Sequence, residues 1–139
     1  MSQGNVEIVR RIYAAPHGLT GGAAGMVAPD AEFDFTATYP DRPVMRGLEE
    51  LRSFREGGPW SGSPIHFEPE SFFDVDDERV LVFVRVSATG RTSGAQVESR
   101  VAHEFTIRGE RLVRFKVYGN RDEALQALGL AEQDAHTGS

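Results

Sequence analysis

The stretch Val97–Leu130, VESRVAHEFTIRGERLVRFKVYGNRDEALQALGL, decides the fold of this chain. It alternates apolar and polar side chains, turns at Gly109, alternates again and ends in a short helical pattern. A period of two is typical of half-buried strands that pair as a hairpin. A histidine, His103, takes an apolar place in this alternation. We therefore expect a titratable ring to point at the core or at a pocket.

The register of this hairpin follows from which side chains must share a face. A slip by one residue would send one strand's apolar set to the opposite face. The pairing that keeps the apolar residues together is His103 with Val117, Phe105 with Phe115 and Ile107 with Val113. A two-residue turn would instead oppose His103 to Lys116, so the sequence predicts a wider turn.

The composition indicates a single domain. The chain has 139 residues and no cysteine, which excludes disulfides, thiolate zinc sites and cysteine nucleophiles. Its formal net charge of −6 disfavours nucleic acid as a partner. No apolar stretch is long enough to cross a membrane, and the first residues lack the pattern of a secretion signal. We expect a cytoplasmic protein with one domain at 1–130 and a disordered tail at 131–139.

The segments before the hairpin mix helical and strand patterns. In chain order they predict a helix over Asn5–Ala15, a short or loose helix over Leu19–Val27, a strand over Ala31–Thr36, a helix through Leu48, Leu51 and Phe54, a strand over Ile65–Val75 and a central strand over Arg79–Thr89. Pro69 predicts an edge position or a bulge. This order predicts an α+β fold, in which a curved antiparallel sheet wraps around three to four helices as a cone with an internal cavity.

Four segments carry a resemblance to a known family. They are NVEIVRRIY (5–13), APDAEFDF (28–35), RGLEEL (46–51) and VYGNRDEAL (117–125). From about Asn5 to Leu130 the chain resembles the SnoaL-like branch of the nuclear transport factor 2-like, or ketosteroid-isomerase-like, superfamily. The resemblance implies a cystatin-like roll and a homodimer. It does not choose an activity, because the superfamily holds isomerases, cyclases, epoxide hydrolases, dehydratases and non-catalytic binders.

The ketosteroid isomerases supply the first comparison of site positions. Their general base is an aspartate on the first strand, where this chain has Phe35, with Asp34 one residue away. Their tyrosine donor on the first helix corresponds to Ile12 or, with one residue of slack, to Tyr13. The protonated acid that assists it corresponds to His103. The resemblance thus implies an altered isomerase-like site, with His103 and Tyr13 as the catalytic candidates.

Two other chemistries of the superfamily depend on acids that this chain lacks. The limonene-type epoxide hydrolases pair an arginine with an aspartate two residues later, where this chain has Arg85 and Ser87. They use a second aspartate on the last strand, where this chain has Val117. The polyketide cyclases also use an acid near that position. The resemblance therefore does not carry either mechanism over literally.

Apolar side chains of several elements are expected around one cavity. The predicted ligand-binding residues are Phe33, Phe35, Tyr39, Phe54, Trp60, Phe105, Phe115 and Val117. Aromatic walls with few polar groups suit a flat apolar molecule. Tyr39 and Trp60 lie in loops and are expected to form a lid. Ordinary core packing is the alternative for each of these residues.

The central strand predicted over 79–89 carries a charge that needs a partner. Glu98 or Glu104 on the next strand is expected to form an ion pair with Arg85. The outer sheet face that bears Leu81, Phe83 and Arg85 is the expected homodimer surface, as the family's usual dimers imply.

The function remains open between three classes. The first is a cofactor-free isomerase or cyclase that uses His103 and Tyr13 for acid–base chemistry on a small hydrophobic or aromatic molecule. The second is a ligand-binding or accessory protein with the same cavity and no turnover, which the residues at Phe35 and Val117 favour. The third is an interaction module whose cavity is filled by its own side chains. No metal spacing is found, and His17 and His66 are expected in solvent.

Overall fold

The computed structural model describes residues 2–16, 18–41, 44–57, 65–89, 96–131 and 135–137. The elements in these ranges are α1 (Ser2–Ala14), β1 (Val27–Asp34), β2 (Met45–Arg46), α2 (Gly47–Gly57), β3 (Ile65–Asp74), β4 (Arg79–Thr89), β5 (Gln96–Arg108), β6 (Arg111–Tyr118), α3 (Arg121–Leu128) and β7 (Ala135–Thr137). The predicted α+β class with a curved sheet and helices is confirmed. No helix in the described residues is long and apolar enough to cross a membrane.

The seven strands form one sheet in the order β2-β1-β6-β5-β4-β3-β7. The prediction of an antiparallel sheet is wrong at one place, because β1 pairs with β6 in parallel. Parallel neighbours need a long connection between them, and most of the chain lies between these two strands. The central position predicted for β4 is confirmed, since it lies between β3 and β5.

The last hairpin has most of the predicted register, although its turn differs from the predicted one. His103 pairs with Val117 and Phe105 with Phe115, as predicted. The prediction of a wider turn is wrong, because Gly109 and Glu110 form a two-residue turn, with φ of 56° and 64°. Positive φ at both positions is the signature of a tight hairpin turn. A bulge after Thr106 then restores the register, and Ile107 pairs with Leu112 instead of Val113.

Strand β3 contains the bulge that its proline predicted. Its register with β4 shifts between Pro69 and Ser71. On its other side, Ser71–Phe73 pairs with Ala135–Thr137. The predicted tail at 131–139 thus includes a short strand, β7, whose backbone pairs with that of β3.

The glycine-containing segment after α1 forms short turns instead of a second α-helix. Two single 3-10 turns lie at Gly18–Thr20 and Ala24–Met26. Glycine disfavours a continuous helix, and three glycines lie at 21, 22 and 25. The next strand also begins earlier than predicted, at Val27.

Both faces of the sheet are covered in its central part. The inner face packs against α1 and α2, and the core between them includes Phe33, Val82, Phe105 and Leu112 of the strands and Val9 of α1. The outer face has its own apolar cluster of Phe73, Leu81, Phe83, Ala102, Tyr118 and Ala124.

Helix α3 covers the outer cluster. Its N-terminus is capped by the Asn120 side chain, which accepts hydrogen bonds from the backbone N–H groups of Asp122 and Glu123. Leu81 and Phe83 are buried in that cluster, so they do not form the exposed dimer surface predicted for them. The homodimer itself stays a prediction.

Candidate functional site

The two catalytic candidates of the sequence lie in direct contact. Tyr13 is near the end of α1 and His103 is on the inner face of β5. The Tyr13 hydroxyl and His103 Nδ1 are 2.8 Å apart, within hydrogen-bond distance. Their rings are parallel to within 3°, with centroids 6.1 Å apart. Helix α1 and the sheet thus place a phenol and an imidazole as one polar pair on the inner face.

Aromatic rings surround this pair. The His103 centroid lies 4.8 Å from that of Phe115, 5.8 Å from that of Phe67 and 6.3 Å from that of Phe105. Phe105 also packs edge-on against Tyr13, at 5.6 Å. Only 5% of His103 is exposed, whereas Phe67 is 42% exposed. The polar pair therefore lies in an apolar setting that reaches solvent on the Phe67 side.

Burial keeps both members of the pair neutral. It lowers the pKa of His103 to about 3, since an imidazolium would lose its hydration there. It raises the pKa of Tyr13 well above that of a free phenol for the same reason. At neutral pH the pair therefore holds one phenolic proton and one imidazole proton, and it carries no charge.

The neutral pair has two proton arrangements. Either the Tyr13 hydroxyl donates to Nδ1 of His103, or Nδ1–H donates to the Tyr13 oxygen and the hydroxyl proton points elsewhere. Among the described residues none forms a hydrogen bond with Nε2 of His103. In either arrangement, one polar group of the pair can bind a molecule from outside.

A cleft opens beside Tyr13, between α1 and β3. Its volume is about 300 Å³, and it is lined by Arg10, Tyr13, Ala14, Pro69 and Phe72. The Arg10 guanidinium carbon lies 4.4 Å from the centroid of the Phe72 ring. The cleft thus has an apolar floor, one cation and one phenol.

The other predicted aromatic residues form a chain of contacts that leads away from His103. Phe33 and Phe35 both approach Phe115, with centroids 6.5 and 5.8 Å from it. Phe54 lies 5.3 Å from both Phe35 and Tyr39. The pairing of Val117 with His103 places it beside the polar pair. Trp60 lies outside the described residues.

Two residues at the site were missing from the predictions. Phe67 continues the apolar alternation of β3 on the inner face, where it pairs with Val86. That alternation was a usable signal. Arg10 precedes Tyr13 by three residues, which places both on one side of a helix. The helical pattern does not show what Arg10 contacts, and only the position of β3 brings it to Phe72.

The acid nearest to the isomerase base position is turned away. Asp34 alternates with Phe33 and Phe35, so it lies on the outer face. Its carboxylate accepts hydrogen bonds from the backbone N–H and the hydroxyl of Thr36, at 3.0 and 2.6 Å. Arg114 is 3.6 Å away. Asp34 therefore has partners of its own, away from the Tyr13–His103 pair.

The remaining charged candidates have structural surroundings. Arg85 forms its ion pair with Glu68 on β3, which corrects the predicted partners, because Glu68 is directly opposite it in the sheet. His66 is exposed, as predicted, and His17 lies outside the described residues. Across the described ranges, no three His, Asp or Glu side chains gather as metal ligands.

A second buried polar pair lies on the outer face. The Tyr118 hydroxyl donates to Glu104 Oε1 at 2.7 Å, and only 5% of Glu104 is exposed. The Arg79 guanidinium is 4.0 Å from the other carboxylate oxygen. The Lys116 ammonium lies 5.0 Å from the centroid of the Tyr118 ring. This face therefore surrounds its tyrosine with charges.

Solved structures with the same fold come from several proteins. A putative SnoaL-like polyketide cyclase from Jannaschia sp. CCS1 superposes with a TM-score of 0.67 at 18% identity, over 91% of this chain and 92% of the other. TerC, co-crystallized with polyporic acid, gives 0.65 at 18% identity, over 90% and 98%. A hypothetical protein with a ketosteroid isomerase-like fold from Catenulispora acidiphila, in complex with trimethylamine, gives 0.64 at 15% identity, over 90% and 94%.

The sequence itself gives the family. No protein with a curated description shows significant sequence similarity to this chain. The SnoaL-like domain, in contrast, matches residues 9–115, which include the end of α1, strands β1 to β5 and both members of the Tyr13–His103 pair. This protein belongs to the SnoaL-like domain family.

Proposed function

We propose that this protein binds a small, flat, largely apolar molecule next to the Tyr13–His103 pair. The observation that carries the proposal is the 2.8 Å hydrogen bond of this pair, held among aromatic rings beside an open cleft. Ligand sites in proteins typically combine apolar walls with a few directed polar groups. Here the rings provide the walls, and the pair provides the polar group that orients the ligand.

Two relatives with bound molecules support the choice of a small ligand. TerC was crystallized with polyporic acid, and the Catenulispora acidiphila protein with trimethylamine. Each finding applies to that protein, and sequence identities of 18% and 15% do not transfer a ligand. They support the fold as a scaffold for small-molecule sites.

A cofactor-free isomerase or cyclase is the second candidate. The feature that favours it is the neutral donor pair in a desolvated setting, because such donors stabilise an enolate that forms during proton transfer. The low pKa of His103 disfavours it, because a base with a pKa of about 3 removes a proton poorly at neutral pH. Asp34, on the outer face, does not supply the missing base. We therefore place binding before catalysis.

A thermal-shift screen against flat aromatic compounds tests the binding proposal. A ligand at a hundredfold excess over its Kd stabilises the folded state by about 2.7 kcal/mol, which shifts the Tm measurably. Tyr13→Phe should reduce the shift, because it removes the hydroxyl and keeps the ring. Tyr39→Phe is the matched control and should keep the shift, since Tyr39 packs on Phe54 away from His103.

The outcomes separate the functional classes. If no compound stabilises the wild type, the binding proposal is wrong and the interaction module is favoured. Compounds that bind and carry an acidic C–H beside a carbonyl group can then be incubated in D₂O and followed by NMR. Exchange of that proton that depends on Tyr13 and His103 would establish catalysis. Binding without exchange supports a binding protein.

A further inference from the structure

The Tyr13 hydroxyl has one hydrogen-bond partner among the described residues. It lies 2.8 Å from Nδ1 of His103, and no other polar group of the described chain bonds to it. Burial keeps His103 neutral, so its ring carries one proton. A phenol has one O–H to donate, and its oxygen can also accept. The direction of the hydroxyl proton therefore decides which nitrogen of His103 carries the ring proton.

The two proton arrangements differ in how many polar groups they leave without a partner. If the Tyr13 hydroxyl donates to Nδ1, only the N–H on Nε2 of His103 is left over. If Nδ1–H donates to the Tyr13 oxygen instead, the hydroxyl proton and the bare Nε2 are both left over. An unpartnered polar group is most unfavourable where burial excludes water, and His103 is only 5% exposed. The first arrangement is therefore the more stable one.

Nε2 of His103 has no partner among the described residues and is not sealed from solvent. The two nitrogens of an imidazole ring are distinct and point in different directions, so Nε2 is aimed away from the Tyr13 hydroxyl. Within the described part of the chain, the side-chain nitrogens and oxygens that are fully buried without a partner are Nε of Arg121 and Oδ1 of Asp74. Nε2 is not one of them, so it retains some accessible surface. A donor at this atom is open to a molecule that enters the site.

The rings around His103 determine which ligand groups suit Nε2. The centroids of Phe115, Phe67 and Phe105 lie 4.8, 5.8 and 6.3 Å from that of the imidazole. These side chains carry no polar group that could accept a donor from a ligand. An acceptor atom satisfies Nε2–H, whereas a ligand with only a donor leaves both groups unpaired. Sites built to form a hydrogen bond discriminate against molecules that cannot form it.

From these contacts we infer that Tyr13 holds His103 in its Nε2–H tautomer, and that the site thereby selects a flat ligand with an acceptor group, such as a carbonyl oxygen, over one with a donor. Tyr13 acts as a positioning residue, because it sets the proton on His103 and His103 donates to the ligand. The ligand preference rests on the proposed function, whereas the tautomer is a property of the free protein.

Nitrogen NMR of the free wild-type protein tests the tautomer. In a long-range ¹H–¹⁵N correlation at neutral pH, a ring nitrogen that carries a proton and a bare one have well-separated chemical shifts. We expect Nε2 of His103 to have the shift of an N–H and Nδ1 that of a bare nitrogen. His66 is exposed on β3 and should give the partly averaged shifts of a ring in solvent, which makes it the internal reference. The spectrum of His103→Gln assigns the signals.

Tyr13→Phe assigns the tautomer to the hydroxyl. Both His103 nitrogens should shift toward averaged values, because neither then has a partner in the described chain. A purely structural role of Tyr13 would not move the tautomer. Tyr39→Phe is the matched control, since it removes a hydroxyl from a ring that packs on Phe54, and it should leave the shifts of His103 unchanged. Wild-type shifts in folded Tyr13→Phe would show that Tyr13 is not the positioning residue.

Three flat bicyclic molecules of nearly equal size test the ligand preference. 1-Indanone carries a carbonyl oxygen, indene has no polar group and indole has an N–H donor. NMR titration of the wild type measures each Kd, and the shift of His103 Nε2 reports contact at that atom. We expect 1-indanone to bind about three- to tenfold more tightly than indene, and indole no more tightly than indene. In Tyr13→Phe the preference for 1-indanone should decrease.

The outcomes distinguish this inference from the proposed function. If the ring proton of wild-type His103 is on Nδ1, the inference is wrong and the proposed function stands. The same holds if indole binds as tightly as 1-indanone, or if compounds of the thermal-shift screen bind and 1-indanone does not. If no compound of either series binds, the proposed function and the ligand preference are both wrong, and the tautomer is judged on the free protein. Because the wild type is measured first, a variant that fails to fold does not prevent the test.

Discussion

Two tyrosines on opposite faces of the same sheet bond to neighbouring residues of β5. On the inner face Tyr13 meets His103 at 2.8 Å, and on the outer face Tyr118 meets Glu104 at 2.7 Å. His103 and Glu104 are both 5% exposed. The bond lengths and the burial of the partners are thus nearly equal on the two faces.

The surroundings of the two pairs differ in charge. Aromatic rings enclose His103, and burial alone lowers its pKa. On the outer face Arg79 approaches Glu104, and Lys116 approaches the ring of Tyr118. The pKa of Tyr118 is raised by burial and by its hydrogen bond to Glu104. The outer face thus has a charged network around its tyrosine, whereas the inner face has an uncharged pair, which we propose as the polar group of a ligand site.

Removing the aromatic wall should have the largest effect. Phe115 contacts His103, Phe105 and Phe35 at centroid distances between 4.8 and 5.8 Å, and it is 5% exposed. Phe115→Ala should lower the free energy of unfolding by about 3–5 kcal/mol, measured by urea denaturation. Phe67→Ala, at the exposed rim, is the control and should cost less than about 1 kcal/mol. Equal losses would contradict the assignment of Phe115 to the core.

Removing the hydroxyl of the outer tyrosine should lower the free energy of unfolding more than removing that of the inner one. Tyr118→Phe leaves one oxygen of a buried carboxylate without its donor, which we expect to cost about 2–3 kcal/mol in urea denaturation. Arg79 limits the loss, since its guanidinium still faces the other oxygen. A loss smaller than that of Tyr13→Phe would reverse our comparison of the two faces.

The inner histidine should make the protein sensitive to mild acid. In the folded state His103 has a pKa of about 3, below the 6.5 of the unfolded chain, so between these values the unfolded state binds more protons. The contribution of His103 to stability is thus fully present above pH 6.5 and is lost as the pH falls toward 3. We expect a loss of about 2 kcal/mol between pH 7 and pH 5.

Denaturation at both pH values measures this contribution when variants are compared with the wild type. His103→Gln should lose less stability between pH 7 and pH 5 than the wild type does. His66→Gln is the matched control, because His66 is exposed on β3, and it should behave as the wild type. An imidazole signal of His103 that titrates near pH 6.5 in NMR spectra would refute the prediction.

The smallest effect is expected for the inner hydroxyl. Tyr13→Phe keeps the ring packing and leaves a neutral nitrogen without its partner, at a cost of about 1–2 kcal/mol. Tyr39→Phe should change stability by less than about 0.5 kcal/mol. A thermal-melting series of both variants checks the difference. If Tyr13→Phe is as neutral as Tyr39→Phe, the 2.8 Å hydrogen bond contributes nothing to folding.

The sequence was sufficient for the fold class and for most of the aromatic residues on the inner face. The alternation around His103 predicted its pairing with Val117, and Pro69 predicted an edge position or a bulge, of which the structure has the bulge. These features depend on local periodicity. The prediction of the hairpin turn was wrong. A tight turn with a bulge and a wide turn without one both satisfy the apolar pattern, and only the backbone at Gly109 and Glu110 distinguishes them.

The predictions that were wrong or missing concern contacts between distant segments of the chain. Alternation identified Leu81 and Phe83 as an apolar outer face, but it did not show that α3 of the same chain covers them. The parity of β1 excluded Asp34 from the inner face, and it did not reveal the bond of Tyr13 to His103. That bond depends on the distance of α1 from the sheet, which one sequence does not give. The cation at Phe72 was missed for the same reason.

Strand β7 changes what the sheet presents to other molecules. Its pairing with Ser71–Phe73 fills hydrogen-bonding positions on the edge of β3 that faces away from β4. An unpaired strand of this kind is a template for intermolecular pairing and aggregation. Ala135–Thr137 thus shields the part of β3 that contains Phe72, the floor of the cleft. A chain shortened after Leu130 would keep the Tyr13–His103 pair and expose the unpaired backbone edge of β3 next to it.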